Sequence, residues 1–184
     1  MIPASETFNG TWPFEPHFTN AAGFRQHYVD EGPAEGEVIL CLHGEPTWGY
    51  LYRNMIGPLA ENFRVVVPDH MGFGKSETPQ DRVYTLQTHV ENLERFVADL
   101  DLSAITIVCQ DWGGLIGLRL VAEQQQRFSR IMAANTMLPG FPLQHPALKG
   151  VFGWPQKLRT GIGFGSWYTF SQLNPFWSAG QILQ

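Results

Sequence analysis

No stretch of the chain stays apolar long enough to span a bilayer, and Met1-Ile2-Pro3-Ala4-Ser5-Glu6 lacks the basic and apolar regions of a signal peptide. These absences lead us to expect a cytoplasmic protein with no membrane partner. Positive charge is scarce: 12 Lys and Arg stand against 17 Asp and Glu, a formal net charge of −5, with no basic cluster. A nucleic-acid partner is therefore not expected, because phosphate contacts need grouped cations. The two cysteines, Cys41 and Cys109, each end an apolar strand pattern and read as buried reduced thiols, not as a disulfide or a metal pair. His43-Gly44-Glu45 has the His-x-Glu look of a zinc deaminase, but the Pro-Cys-x-x-Cys partner is missing and the histidines are scattered. Gly72-Phe73-Gly74 has Glu77 where a dinucleotide fingerprint needs a third glycine. Neither a metal nor a cofactor is expected. There is also no internal repeat and no low-complexity tract.

What is present is the material of a globular domain. The 184 residues are 43% hydrophobic and 13% aromatic, enough to build a core. Short β-branched runs alternate with helical patterns. Strands are predicted at 14–18, 24–29, 38–42, 65–67, 105–108 and 131–134, with a turn at Asp30-Glu31-Gly32-Pro33. Helices are predicted at 50–61, 85–100 and 113–123. The second of these carries Leu86, Val90, Leu93, Val97 and Leu100 on one face. Such alternation implies an α/β fold, a mostly parallel sheet with helices on both faces. After Asn135 the texture changes to a Gly- and Pro-rich, aromatic segment with Phe164, Trp167 and Phe170, whose apolar surface must cover something. We accordingly divide the chain into a core at 1–138 and a covering region at 139–184.

The stretch that organises the chain is Val108-Cys109-Gln110-Asp111-Trp112-Gly113-Gly114. A buried strand that turns sharply into a helix behind one reactive side chain is a nucleophile elbow, with small residues relieving the crowding. The positive end of the helix would keep the Asp111 carboxylate ionised and available as a nucleophile. The same residue type is a good helix cap, and this stretch alone does not separate the two roles. His17, His27, His89 and His145 read as surface or structural residues. His43 and His70, in loops at strand ends, read as packing and hydrogen-bonding residues.

Taken together, His43-Gly44-Glu45-Pro46-Thr47-Trp48, Asp69-His70-Met71-Gly72-Phe73-Gly74-Lys75-Ser76 and Gln110-Asp111-Trp112-Gly113-Gly114 resemble the α/β-hydrolase superfamily. Within it they resemble the haloalkane dehalogenases, in the branch that holds halide between two tryptophans. Phe164-Gly165-Ser166-Trp167-Tyr168-Thr169-Phe170-Ser171-Gln172 is similar to the part of that family's helical cap that carries the second tryptophan.

The resemblance implies hydrolysis of a carbon–halogen bond through an Asp111 alkyl ester, with a small apolar halogenated substrate and halide ion as partners. Trp112 and Trp167 would give indole N–H groups to the halide. The backbone N–H groups of Trp112 and Glu45 would form the oxyanion hole, with the Glu45 side chain near the hydrolytic water. Phe164 and Leu115 would be walls of the substrate pocket. In the family a late-loop His, oriented by an acid, is the base; no histidine follows His145, and Asn135-Thr136-Met137 offers no carboxylate. The expectation is thus the N-terminal part of a dehalogenase, ending inside the start of the cap and before the last strands. Such a piece would be poorly stable and deficient in turnover, whereas the full-length protein is expected to be a monomer. An epoxide hydrolase is the alternative enzyme, since it also uses an elbow Asp; a non-catalytic ligand-binding hydrolase scaffold is the alternative outside enzymes.

Overall fold

The computed structural model describes residues 1–136. Six strands form one sheet: β1 (His17–Thr19), β2 (Gln26–Glu31), β3 (Val38–Leu42), β4 (Arg64–Pro68), β5 (Ile105–Gln110) and β6 (Phe128–Ala134). Their order across the sheet is β1-β2-β4-β3-β5-β6. The β4, β3, β5 and β6 strands run parallel, and β1 and β2 form an antiparallel edge.

Helices α1 (Arg53–Ala60), α2 (Leu86–Asp99) and α3 (Trp112–Glu123) cover the two faces. The α2 and α3 helices pack Val90, Leu93, Phe96, Val97, Ile116 and Leu120 onto Leu40, Leu42, Val66, Ile107 and Cys109. On the other face Ile56 of α1 joins Trp12 and Tyr52 over Ile39, Cys41, Val65, Val67 and Val108. Strands buried on both faces read as unbroken apolar runs, which is why β3 and β4 are Val/Ile/Leu-rich.

The boundaries differ from those predicted in instructive places. Asp30 and Glu31 belong to β2, paired with Val66 and Val65, not to the following turn. An antiparallel edge ladder uses backbone groups and tolerates polar side chains. The predicted helix at 50–61 is a 3₁₀ turn at Gly49–Tyr52 followed by α1. The β6 strand begins at Phe128, because most of it faces outward and polar Ser129 and Arg130 fit there. Among the described residues β6 is the edge of the sheet opposite β1, with Ile131 and Met132 exposed. The 139–184 region, with Phe164 and Trp167, lies outside the described residues, as does the proposed 138/139 division.

Candidate active site

The end of β5 turns into α3 at a single residue. Asp111 has φ +51° and ψ −121°, a conformation that side chains other than glycine rarely adopt. Its backbone is braced by a hydrogen bond from its N–H to the Asn135 carbonyl (3.2 Å) and one from the Thr136 hydroxyl to its own carbonyl (2.6 Å). The turn is feasible because its neighbours lack side chains. A Cβ at Gly113 would lie 2.6 Å from the His43 carbonyl oxygen and closer still to that of Leu42. A Cβ at Gly44 would collide with the Asp111 side chain. The loop after β3 is thereby pressed against the carboxylate.

Asp111 stands at the N-cap position but makes no side-chain capping bond. Oδ1 instead accepts the Glu45 backbone N–H at 3.0 Å, and the Trp112 backbone N–H is the second donor. The capping role is therefore not what the side chain does. Burial pushes the carboxyl above its ordinary value, against the pull of the two N–H donors. Lost hydration of the half-buried carboxyl outweighs the two N–H donors, so the helix end alone does not set its ionisation.

Beside the carboxylate lies a cavity of about 320 Å³, lined by Gly44, Glu45, His70, Phe73, Trp112 and Ile116, with 84–86 and His89 completing the wall. The Glu45 residue is exposed and Trp112 half-buried at its rim. From α3 this lining takes Ile116, one residue beyond Leu115, which does not contribute to it. The structure thus brings Asp111, Glu45 and Trp112 together and leaves Leu115 aside, while Phe164 and Trp167 fall outside the described residues.

His43 and His70 pack and hydrogen-bond and His27 is structural, as read from the sequence, but their partners were not legible there. His27 is fully buried with its Nδ1 2.8 Å from Asp69 Oδ2, and the Asp69 carboxylate also accepts the backbone N–H groups of Gly49 and Lys75 (both 2.8 Å). His43 and His70 bind one another, with rings 4.4 Å apart. Burial pushes both imidazoles down, so they are neutral. The only sequence signal was a pair of histidines at the ends of adjacent strands. Cys41 and Cys109 are free, buried thiols, as expected. Among the described residues no helix is long and apolar enough to cross a membrane.

A mostly parallel sheet with helices on both faces and a sharp strand-to-helix turn at a strained acidic residue is the architecture of an α/β hydrolase, and the profile of the alpha/beta hydrolase fold family matches residues 37–163. The chain belongs to that family. Within it, the chain is similar to a haloalkane dehalogenase of Psychrobacter cryohalolentis, with 45% identity over 178 residues, 93% of this chain and 54% of that protein. The tetrameric haloalkane dehalogenase DpaA of Paraglaciecola agarilytica superposes with a TM-score of 0.68 at 40% identity, covering 78% of this chain and 50% of that one. Epoxide hydrolase CorEH reaches a TM-score of 0.68 at 27% identity, covering 92% of this chain and 55% of that one. The chain spans about half the length of the curated relatives it matches. The tetrameric relative lends no support to the expected monomer.

Proposed function

We propose that the whole protein hydrolyses haloalkanes to alcohol and halide, with Asp111 as nucleophile. The observation that carries this reading is the Asp111 carboxylate, held at a strained elbow under two backbone N–H donors beside a small, largely apolar cavity. An Asp111 oxygen attacks the halogen-bearing carbon in line. The new C–O bond forms as the C–X bond breaks, and the halide leaves with the bonding pair. Indole N–H groups of Trp112 and Trp167 take up that developing charge, so no acid is required. Water then attacks the carbonyl carbon of the ester while the Glu45 and Trp112 N–H groups hold the oxyanion, and collapse breaks the bond from that carbon to the alkyl oxygen, releasing the alcohol and restoring the Asp111 carboxylate. The Glu45 side chain lies near this water. Phe164 and Leu115 are assigned to the substrate pocket on the resemblance alone. Removal of a proton from the water needs a base, to which no residue of this chain is assigned.

Epoxide opening is the second reading, favoured by the elbow Asp and by the likeness to CorEH. It needs a hydroxyl donor on the epoxide oxygen; the Tyr84 hydroxyl at the cavity instead donates to the Pro79 carbonyl (3.0 Å). The identities of 45% and 40% to dehalogenases, against 27% to the epoxide hydrolase, favour halide. Intact-mass measurement after incubation with a short dihaloalkane, and separately with an epoxide, tests the choice. The expected result is an alkyl adduct from the haloalkane that Asp111→Asn does not form. An adduct from the epoxide alone would transfer the assignment, and no adduct on a folded chain would remove it.

A further inference from the structure

The Glu45 N–H can serve Asp111 only if the 44–45 peptide is held in one plane, and the structure shows what holds it. The carbonyl of Gly44, on the opposite side of that peptide from the N–H, is bonded by the Thr47 N–H (3.1 Å), the Thr47 hydroxyl (2.9 Å) and His43 Nδ1 (2.9 Å). His43 can donate from Nδ1 because its Nε2 is occupied as an acceptor by the backbone N–H of His70 (3.0 Å). The His70 ring returns the bond: its Nε2 lies 3.0 Å from the His43 carbonyl, which can only accept. Each histidine ring therefore grips the other's backbone. Both are buried, and burial keeps both rings neutral, so the two tautomers are fixed by this network.

The pair stands where the sheet can no longer do this work. The β3–β4 ladder pairs Val38, Ile39 and Leu40 with Arg64, Val65 and Val66 and goes no further. β4 ends at Pro68, which has no N–H to offer. Beyond it, the segments that follow β3 and β4 are joined by the histidines, and the first of them reaches Asp111 through Glu45.

We infer that His70 is a positioning residue: through its Nε2–H on the His43 carbonyl it holds His43, and through His43 the 44–45 peptide, so that the Glu45 N–H is aimed at Asp111. The inference deepens the function proposed above, since it rests on Asp111 being the nucleophile. It predicts that the donor, not the ring, matters. His70→Phe keeps a ring of similar bulk without the N–H, whereas His70→Gln keeps a donor at nearly the same reach.

The test is an NMR titration of the Asp111 carboxyl carbon, with the Glu45 amide resonance followed alongside, in the complete protein. In His70→Phe the Asp111 midpoint should move upward, because an N–H that favours the carboxylate has been loosened, and the Glu45 amide should shift. Both should return toward wild type in His70→Gln. Turnover of a haloalkane should fall roughly tenfold in kcat in the Phe variant and recover in the Gln variant, since the oxyanion contact is used after substrate binds. An unchanged titration and amide in His70→Phe would overturn the inference. So would equal shifts in the Phe and Gln variants, which would make ring packing the agent. If the Phe variant does not fold, Thr47→Val loosens the same Gly44 carbonyl, and an unmoved Asp111 midpoint there is equally fatal. The titration needs no substrate, so a failed dehalogenase assignment shows in the adduct experiment and leaves this result standing.

Discussion

The backbone N–H of Glu45 reaches Asp111 Oδ1 at 3.0 Å across 66 residues of sequence. That contact ties the end of β3 to the end of β5, the two strands paired in register from Ile39–Thr106 to Leu42–Cys109. The site is thus an extension of a parallel ladder by one non-ladder bond, and its properties can be checked one at a time.

The first concerns pH. The Asp111 carboxyl is raised by burial, and only its ionised form can attack carbon. Alkylation should therefore rise with pH, with a midpoint above that of an ordinary aspartate, and then level off; the initial rate of adduct formation against pH measures this. Stability runs the other way. A carboxyl raised in the folded state contributes stability that is present below its unfolded pKa and is lost as pH rises through the folded one. Asp111→Asn escapes that loss, so urea unfolding should show the variant gaining on wild type between acid and neutral pH.

The second contrasts two glycines of α3. A Cβ at Gly113 runs into the carbonyl oxygens of Leu42, the last residue of β3, and of His43, held by His70, and neither can readily retreat. Gly113→Ala should cost about 3 kcal/mol or more in denaturant unfolding. At Gly117 the nearest atoms, each at 2.6 Å, are the methyl ends of Ile107 and Leu42. Those can rotate, and alanine gains in helix propensity, so Gly117→Ala should stay within about 1 kcal/mol of wild type.

A third prediction concerns Asp69. Its carboxylate is fully buried and satisfies His27 and the N–H groups of Gly49 and Lys75. Asp69→Ala would strand all of them, so a loss of about 3–5 kcal/mol is expected, read as a lowered denaturant midpoint. A loss below about 1 kcal/mol would show that water replaces the carboxylate.

The fourth is chemical. Burial pushes the Cys41 thiol up to about 12 and Cys109 up to about 11. Neither should react with a thiol reagent at neutral pH in the native protein, and both should be titrated at once in denaturant. Prompt native labelling of either would show that the sheet opens around it.

The strands and the elbow were legible because they obey local rules. The β-branched runs of β3, β4 and β5 announce buried strands, and Asp111 followed by Trp112-Gly113-Gly114 announces a sharp turn with no room for side chains. The Thr85–Leu100 periodicity gave α2 to within a residue at each end, since Thr85 caps it with its own hydroxyl. What remained hidden depends on contacts between distant residues. Nothing local to His27 or Asp69 tells that they meet, and the loss of hydration that raises Asp111 depends on what packs around it. Leu115 and Ile116 are adjacent in sequence, and which of them faces the cavity is decided by the rotation of α3, which local patterning fixes only coarsely.

The ladder between β3 and β4 stops at Leu40 and Val66, and side chains carry the connection from there to His43 and His70. A single residue inserted after Pro68 and before His70 would leave every strand pairing intact and still displace His70 from His43. In this protein, then, the tolerance of the fold to insertions and the tolerance of its chemistry are set by different stretches of chain, and a library of length variants would separate them before any point mutation did.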